Sequence, residues 1–122
     1  MAGRNRCTRS GFACAMLLWA GVAGIGIGTA WAGPDLPTLR LECKGGVFTP
    51  ARLEVAAGTK FKIEIFNTGS DAIEFESLDL RKEKALNPGG SSFVVVYPLA
   101  PGEYRFFDDF HLKGAGGTIV AR

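Results

Sequence analysis

From Leu39 to the C-terminus the chain alternates apolar and polar residues with a period of two. Leu39, Leu41 and Cys43 alternate with Arg40 and Glu42. Leu53 and Val55 alternate with Arg52 and Glu54, and Phe61, Ile63 and Ile65 with Lys60, Lys62 and Glu64. This period puts one face of an extended strand in a core and the other in water. No segment shows a helical period. The run Phe93–Tyr97 is apolar throughout, which predicts a central strand covered on both faces. Left exposed, such a run is an aggregation hazard. Tyr104–Phe107 and Thr118–Ala121 complete the set of strands. Turn signals separate them: Lys44-Gly45-Gly46, Ala57-Gly58, Asn67-Thr68-Gly69-Ser70, Asn87-Pro88-Gly89-Gly90 and Pro101-Gly102. Pro fixes φ and Gly accepts positive φ, so the last suits a type II turn. About seven short strands at this spacing predict an all-β sandwich.

The first 32 residues differ from the rest. Arg4, Arg6 and Arg9 precede an apolar, Gly-rich run from Phe12 to Ile27, and the segment closes on Ala30-Trp31-Ala32. That order is expected of a signal peptide, cleaved before a domain at 33–122. An uncleaved anchor is the rival reading, disfavoured by the helix-weakening glycines. Export to the periplasm follows from the first reading. Of the chain's 14 Lys and Arg, the three leader arginines leave with the segment, so 11 stand against 12 Asp and Glu. The domain then carries a net charge of −1, with no basic stripe for a nucleic acid. Cys7 and Cys14 leave as well, so Cys43 has no partner for an internal disulfide. It reads as a small buried hydrophobe, a metal ligand or half of an intermolecular disulfide.

Three stretches together resemble the cupredoxin superfamily. Phe48-Thr49-Pro50-Ala51-Arg52-Leu53-Glu54-Val55-Ala56-Ala57-Gly58 is similar to the family's first strand crossing, and Ile65-Phe66-Asn67-Thr68-Gly69 to the strand end before the first copper histidine. Pro101-Gly102-Glu103-Tyr104-Arg105-Phe106-Phe107-Asp108-Asp109-Phe110-His111 resembles the hairpin that ends in C-x-x-H. The resemblance implies a Greek-key β-sandwich. It also implies a departure from blue copper, which needs two His, a Cys thiolate and usually an axial Met. Asp108 stands at the Cys position, Glu76 is matched to the first His position, and the domain has no Met. His111 keeps the second His position and is the chain's one histidine. The Glu74-Phe75-Glu76 strand and the Pro-Gly hairpin resemble the periplasmic cupredoxin-like domains of bacterial iron-uptake systems, the EfeO and FtrB types. EfeO-type domains often carry cysteines in the first and last loops, where Phe48 and Asp108 are expected here.

The residues carry their own chemistry. Glu74 and Glu76 lie two apart on one strand and share a face. Asp108, Asp109 and His111 follow a neighbouring strand. Two to four carboxylates with one imidazole suit Fe(II), Fe(III), Mn(II) or Cu(II) and disfavour Cu(I). The expected metal set is therefore His111, Glu76, Asp108, Glu74 and Asp109, with Glu83 added on resemblance. Each has a plainer reading: solvated edge-strand glutamates, turn aspartates, a packed surface histidine. The resemblance implies a copper or iron ion, a periplasmic iron-binding protein and an inner-membrane iron permease as partners, and copper-assisted Fe(II) oxidation before transport. A copper carrier without turnover and a metal-free interaction module are the alternatives.

Overall fold

The computed structural model describes residues 35–122, and the expected signal peptide lies outside them. Nine strands follow in chain order: β1 Thr38–Lys44, β2 Val47–Thr49, β3 Arg52–Val55, β4 Phe61–Asn67, β5 Ile73–Ser77, β6 Lys82–Leu86, β7 Ser91–Val96, β8 Gly102–Asp108 and β9 Gly117–Ala121. They form two sheets, ordered β2-β1-β4-β7 and β3-β9-β8-β5-β6. The parallel pairs β1–β4 and β3–β9 make both sheets mixed. The β-sandwich implied by the alternation is present.

The inward residues are those the alternation selects. Leu41, Cys43, Ile63, Ile65, Ile73 and Phe75 are all fully buried. At the centre Phe48, Phe75 and Phe106 come from β2, β5 and β8. Phe48 meets the other two rings edge-on, at centroid distances of 6.3 Å and 5.0 Å. This aromatic cluster joins the two sheets, which neither sheet's hydrogen bonds can do.

Asn67 is the polar exception that ties turns together. Its Nδ2 donates to the carbonyls of Asp71, Leu86 and Asn87 at 2.7, 3.2 and 3.1 Å. Its Oδ1 accepts the Gly69 N–H at 3.0 Å. One buried side chain thus satisfies backbone groups of both the β4–β5 and the β6–β7 connections.

Two expectations need correction. Nine strands replace seven, because β2 is only three residues long and the Lys82–Leu86 segment forms a further strand that pairs with β5. Its charges suit an edge strand, where they discourage further pairing. The strand bearing Glu74 ends at Ser77, before a turn at Leu78–Arg81. The Phe93–Tyr97 run is not central: β7 ends its sheet, and Phe93 and Tyr97 are 54% and 66% exposed. Hydrophobicity marked this run as covered on both faces, but only Val94 and Val96 reach the core.

Asn67→Ala is expected to cost about 2–4 kcal/mol, since it strands buried carbonyls. Urea unfolding followed by circular dichroism checks this, with Thr68→Ala as a milder control.

Candidate functional site

The six expected ligands fall into two groups on opposite faces of one sheet. In β5, Ile73, Phe75 and Ser77 point into the core, so Glu74 and Glu76 point outward. Phe75 is registered with Asp108, and Glu76 with Phe107. Cross-strand partners share a face, so Asp108 projects inward with Phe75 while Glu76 projects outward with Phe107. No shell can therefore hold both Glu76 and Asp108.

The inner group centres on Asp108, which is 1% exposed. Its Oδ1 accepts the N–H groups of Glu74 and Phe110 at 2.9 and 3.1 Å. Its Oδ2 lies 2.7 Å from His111 Nδ1 and also accepts the Cys43 thiol, at 3.8 Å. Each oxygen of this buried carboxylate is thus partnered, as a buried charge requires. The chain places it there by a short ladder. The Asp109 N–H donates to the Glu74 carbonyl at 2.9 Å and the His111 N–H to the Asp108 carbonyl at 3.1 Å. Gly46 faces the same loop at φ 83°, and a Cβ there would stand 2.8 Å from the His111 Cβ. Glycine is needed on both counts.

Cys43, 65 residues earlier in the chain, is the member that sequence reasoning did not bring to this site. Phe48, at the first-loop position where EfeO-type domains often carry a cysteine, joins the aromatic core. The available signal was Cys43's place on the inward phase of β1. Burial pushes its thiol up to about 11, helped by the adjacent Asp108 charge and by its hydrogen bond to that carboxylate; a backbone hydrogen bond at Gly46 opposes the shift. Such a thiol stays protonated and is a poor ligand or nucleophile at neutral pH.

The outer group is Glu74, Glu76, Glu83 and Asp109. Glu76 stands directly opposite Glu83 on β6, an arrangement that destabilises a sheet unless it is compensated. Lys84 does not supply the compensation, because strand parity turns it to the other face of β6. Arg81 and Lys82 line the same groove as Glu76 and Glu83. Among the described residues, no Lys or Arg stands within ion-pair distance of these four carboxylates. The Glu76 carboxyl is raised above its ordinary range by desolvation, and further by Asp109, Glu74 and Glu83.

A resident copper of the blue type does not fit these residues. Asp108 replaces the thiolate, its oxygens are engaged, and the one nearby thiol is held protonated. Among the described residues, no three His, Cys, Asp or Glu side chains converge on a preformed metal shell.

A sequence model of the Cupredoxin-like domain matches residues 13–121, and the chain belongs to that family. An uncharacterized protein of Rickettsia prowazekii (strain Madrid E) is 37% identical over 93 residues, covering 72% of this chain and 74% of that protein. Among solved structures, dithionite-reduced auracyanin from Roseiflexus castenholzii superposes with a TM-score of 0.61 at 16% identity. It covers 72% of this chain and 98% of its own. The metal-binding domain of the Cu(I)-exporting P-type ATPase of Streptococcus pneumoniae D39, with Cu(I), gives 0.57 at 13% identity, covering 70% and 84%. These two share the fold with this chain.

The state of Cys43 has a pH signature. Its pKa is higher folded than unfolded, so the folded state holds the proton more tightly. The associated stability is complete below about pH 9 and is lost as pH rises through about 11. The loss amounts to about 2–3 kcal/mol. It is expected as a fall in the urea midpoint over that window, in wild type relative to Cys43→Ser, measured side by side.

Proposed function

We propose that this protein is an exported metal-binding module that takes a copper or iron ion as exchangeable cargo on the outer carboxylate face of its larger sheet. The observation that carries the reading is the Glu76–Glu83 pair, placed directly opposite each other with no cation at ion-pair distance among the described residues. Glu74 and Asp109 add to the same field. A divalent ion among these groups removes their repulsion.

The ligand chemistry narrows the choice of ion. Carboxylate oxygens favour Fe(II), Fe(III), Mn(II) or Cu(II) over Cu(I). The side chains must move to close around an ion, and ordering them costs conformational entropy. Binding is then modest and reversible, which suits delivery to another protein better than permanent retention. Membership of the Cupredoxin-like family, together with the likeness to periplasmic iron-uptake domains, supports a place beside an iron-binding protein and an inner-membrane permease. His111 lies beside Asp109 around an open depression also lined by Val47, Phe110 and Leu112. Its ring can join as an outer ligand only through Nε2, since Nδ1 faces Asp108. Carboxylates stabilise Fe(III) over Fe(II) through their charge, so a bound iron would be biased towards oxidation.

Equilibrium dialysis against Mn(II), Fe(II) under anaerobic conditions, or Cu(II), with metal analysis of the retained protein, tests the reading. One ion per chain is expected, with affinity at least about tenfold lower in Glu76→Gln/Glu83→Gln; a tenfold loss corresponds to about 1.4 kcal/mol. Arg81→Ala is expected to tighten binding. No intense blue band should accompany Cu(II). Absence of binding for all three ions, or binding indifferent to the double substitution, contradicts the proposal.

A further inference from the structure

His111 is the chain's one histidine, and its ring is fixed from behind. Nδ1 lies 2.7 Å from the buried Asp108 carboxylate. A carboxylate accepts, so in the neutral ring Nδ1 carries the proton and Nε2 the free lone pair. The surrounding loop holds this orientation. The Gly114 N–H donates to the His111 carbonyl at 2.9 Å, and a Cβ on Gly114 would run into the Gly46 carbonyl. The His111 loop and the Gly45-Gly46 turn therefore pack backbone against backbone, which glycine permits.

The free edge of the ring meets an apolar surface. The His111 side chain is 27% exposed and lines an open depression of about 630 Å³, within the range of about 300–1,000 Å³ usual for small-molecule sites. Val47, Phe110 and Leu112 line it too, and they are 63%, 53% and 70% exposed. Large apolar side chains gathered around one polar atom mark a binding site, whereas single exposed ones do not. Two charged residues, Asp109 and Lys113, share the lining. Lys113 has no carboxylate at ion-pair distance among the described residues.

The donor set selects the ligand. A bare transition-metal ion is held by several side chains, and this depression offers one imidazole and one carboxylate. An iron that brings its own equatorial donors in a planar tetrapyrrole takes its axial ligand from the protein, and one histidine suffices. The flat apolar macrocycle gains by leaving water for an apolar surface. A histidine whose other nitrogen donates to a carboxylate is oriented and made a more basic ligand.

We propose that an iron porphyrin binds in this depression, with His111 Nε2 as its axial ligand and Val47, Phe110 and Leu112 against the macrocycle. The porphyrin's own carboxylates lie towards Lys113 and away from Asp109, by charge. Asp108 is a positioning residue, which holds the imidazole without touching the porphyrin. The site does not draw on Glu76 or Glu83, so it stands whether or not those carboxylates take an ion as cargo.

Titration of the chelator-treated exported protein with hemin, followed by visible absorption, tests the proposal. Metal-free protoporphyrin IX is titrated in parallel. One hemin per chain is expected, with a saturable shift of its main absorption band. Protoporphyrin IX presents the same apolar face without the iron, and is expected to bind at least about tenfold more weakly. His111→Ala should lose the shift while keeping the circular dichroism of the wild type. Phe110→Ser/Leu112→Ser, confined to exposed side chains, should weaken hemin binding by a similar factor. Absence of saturable hemin binding overturns the proposal. So does equal affinity for protoporphyrin IX, which is read on the wild type and needs no variant to fold, or a folded His111→Ala that keeps the shift.

Discussion

A single buried carboxylate organises the end of this sandwich where chemistry is expected. Asp108 closes β8, and its oxygens collect two backbone N–H groups, an imidazole and a thiol. Removing one partner leaves the rest of a buried polar network unsatisfied, which costs far more than an average surface contact. The position that a blue-copper protein gives to a thiolate thus serves here as a polar anchor. It joins β1, β5 and the loop that carries His111. Among the described residues, the carboxylates without an ion-pair partner on this sheet, Glu74, Glu76 and Glu83, lie on its other face.

Much of the fold was legible because a period of two states directly which side chains are inward. Leu41, Cys43, Ile63 and Ile65 all lie where their alternation places them. Lys82–Leu86 was not legible as a strand, because its inward positions begin with two lysines and only Leu86 is buried. Phe93–Tyr97 was misjudged for the opposite reason. Apolar residues on both faces describe a covered strand or an unsatisfied edge equally well, and strand order is not a local property of the sequence.

The candidate site divides along the same line. That Glu74 and Glu76 share a face follows from their spacing, and the Asp108–His111 contact from the C-x-x-H spacing. Which face the glutamates share relative to Asp108 depends on the β5–β8 register, and a shift of one residue reverses it. The Cys43–Asp108 contact joins positions 65 residues apart, and nothing near either residue announces the other. Membership of the Cupredoxin-like family located the region without assigning its side chains to ligation or support.

The central claim is that Asp108 anchors the fold while the outer carboxylates meet the cation. An anomalous difference map from crystals soaked in Mn(II) tests it most directly. The account predicts a peak among Glu74, Glu76, Glu83 and Asp109, with the Asp108–His111 contact intact. A peak between Asp108, His111 and Cys43 would contradict it.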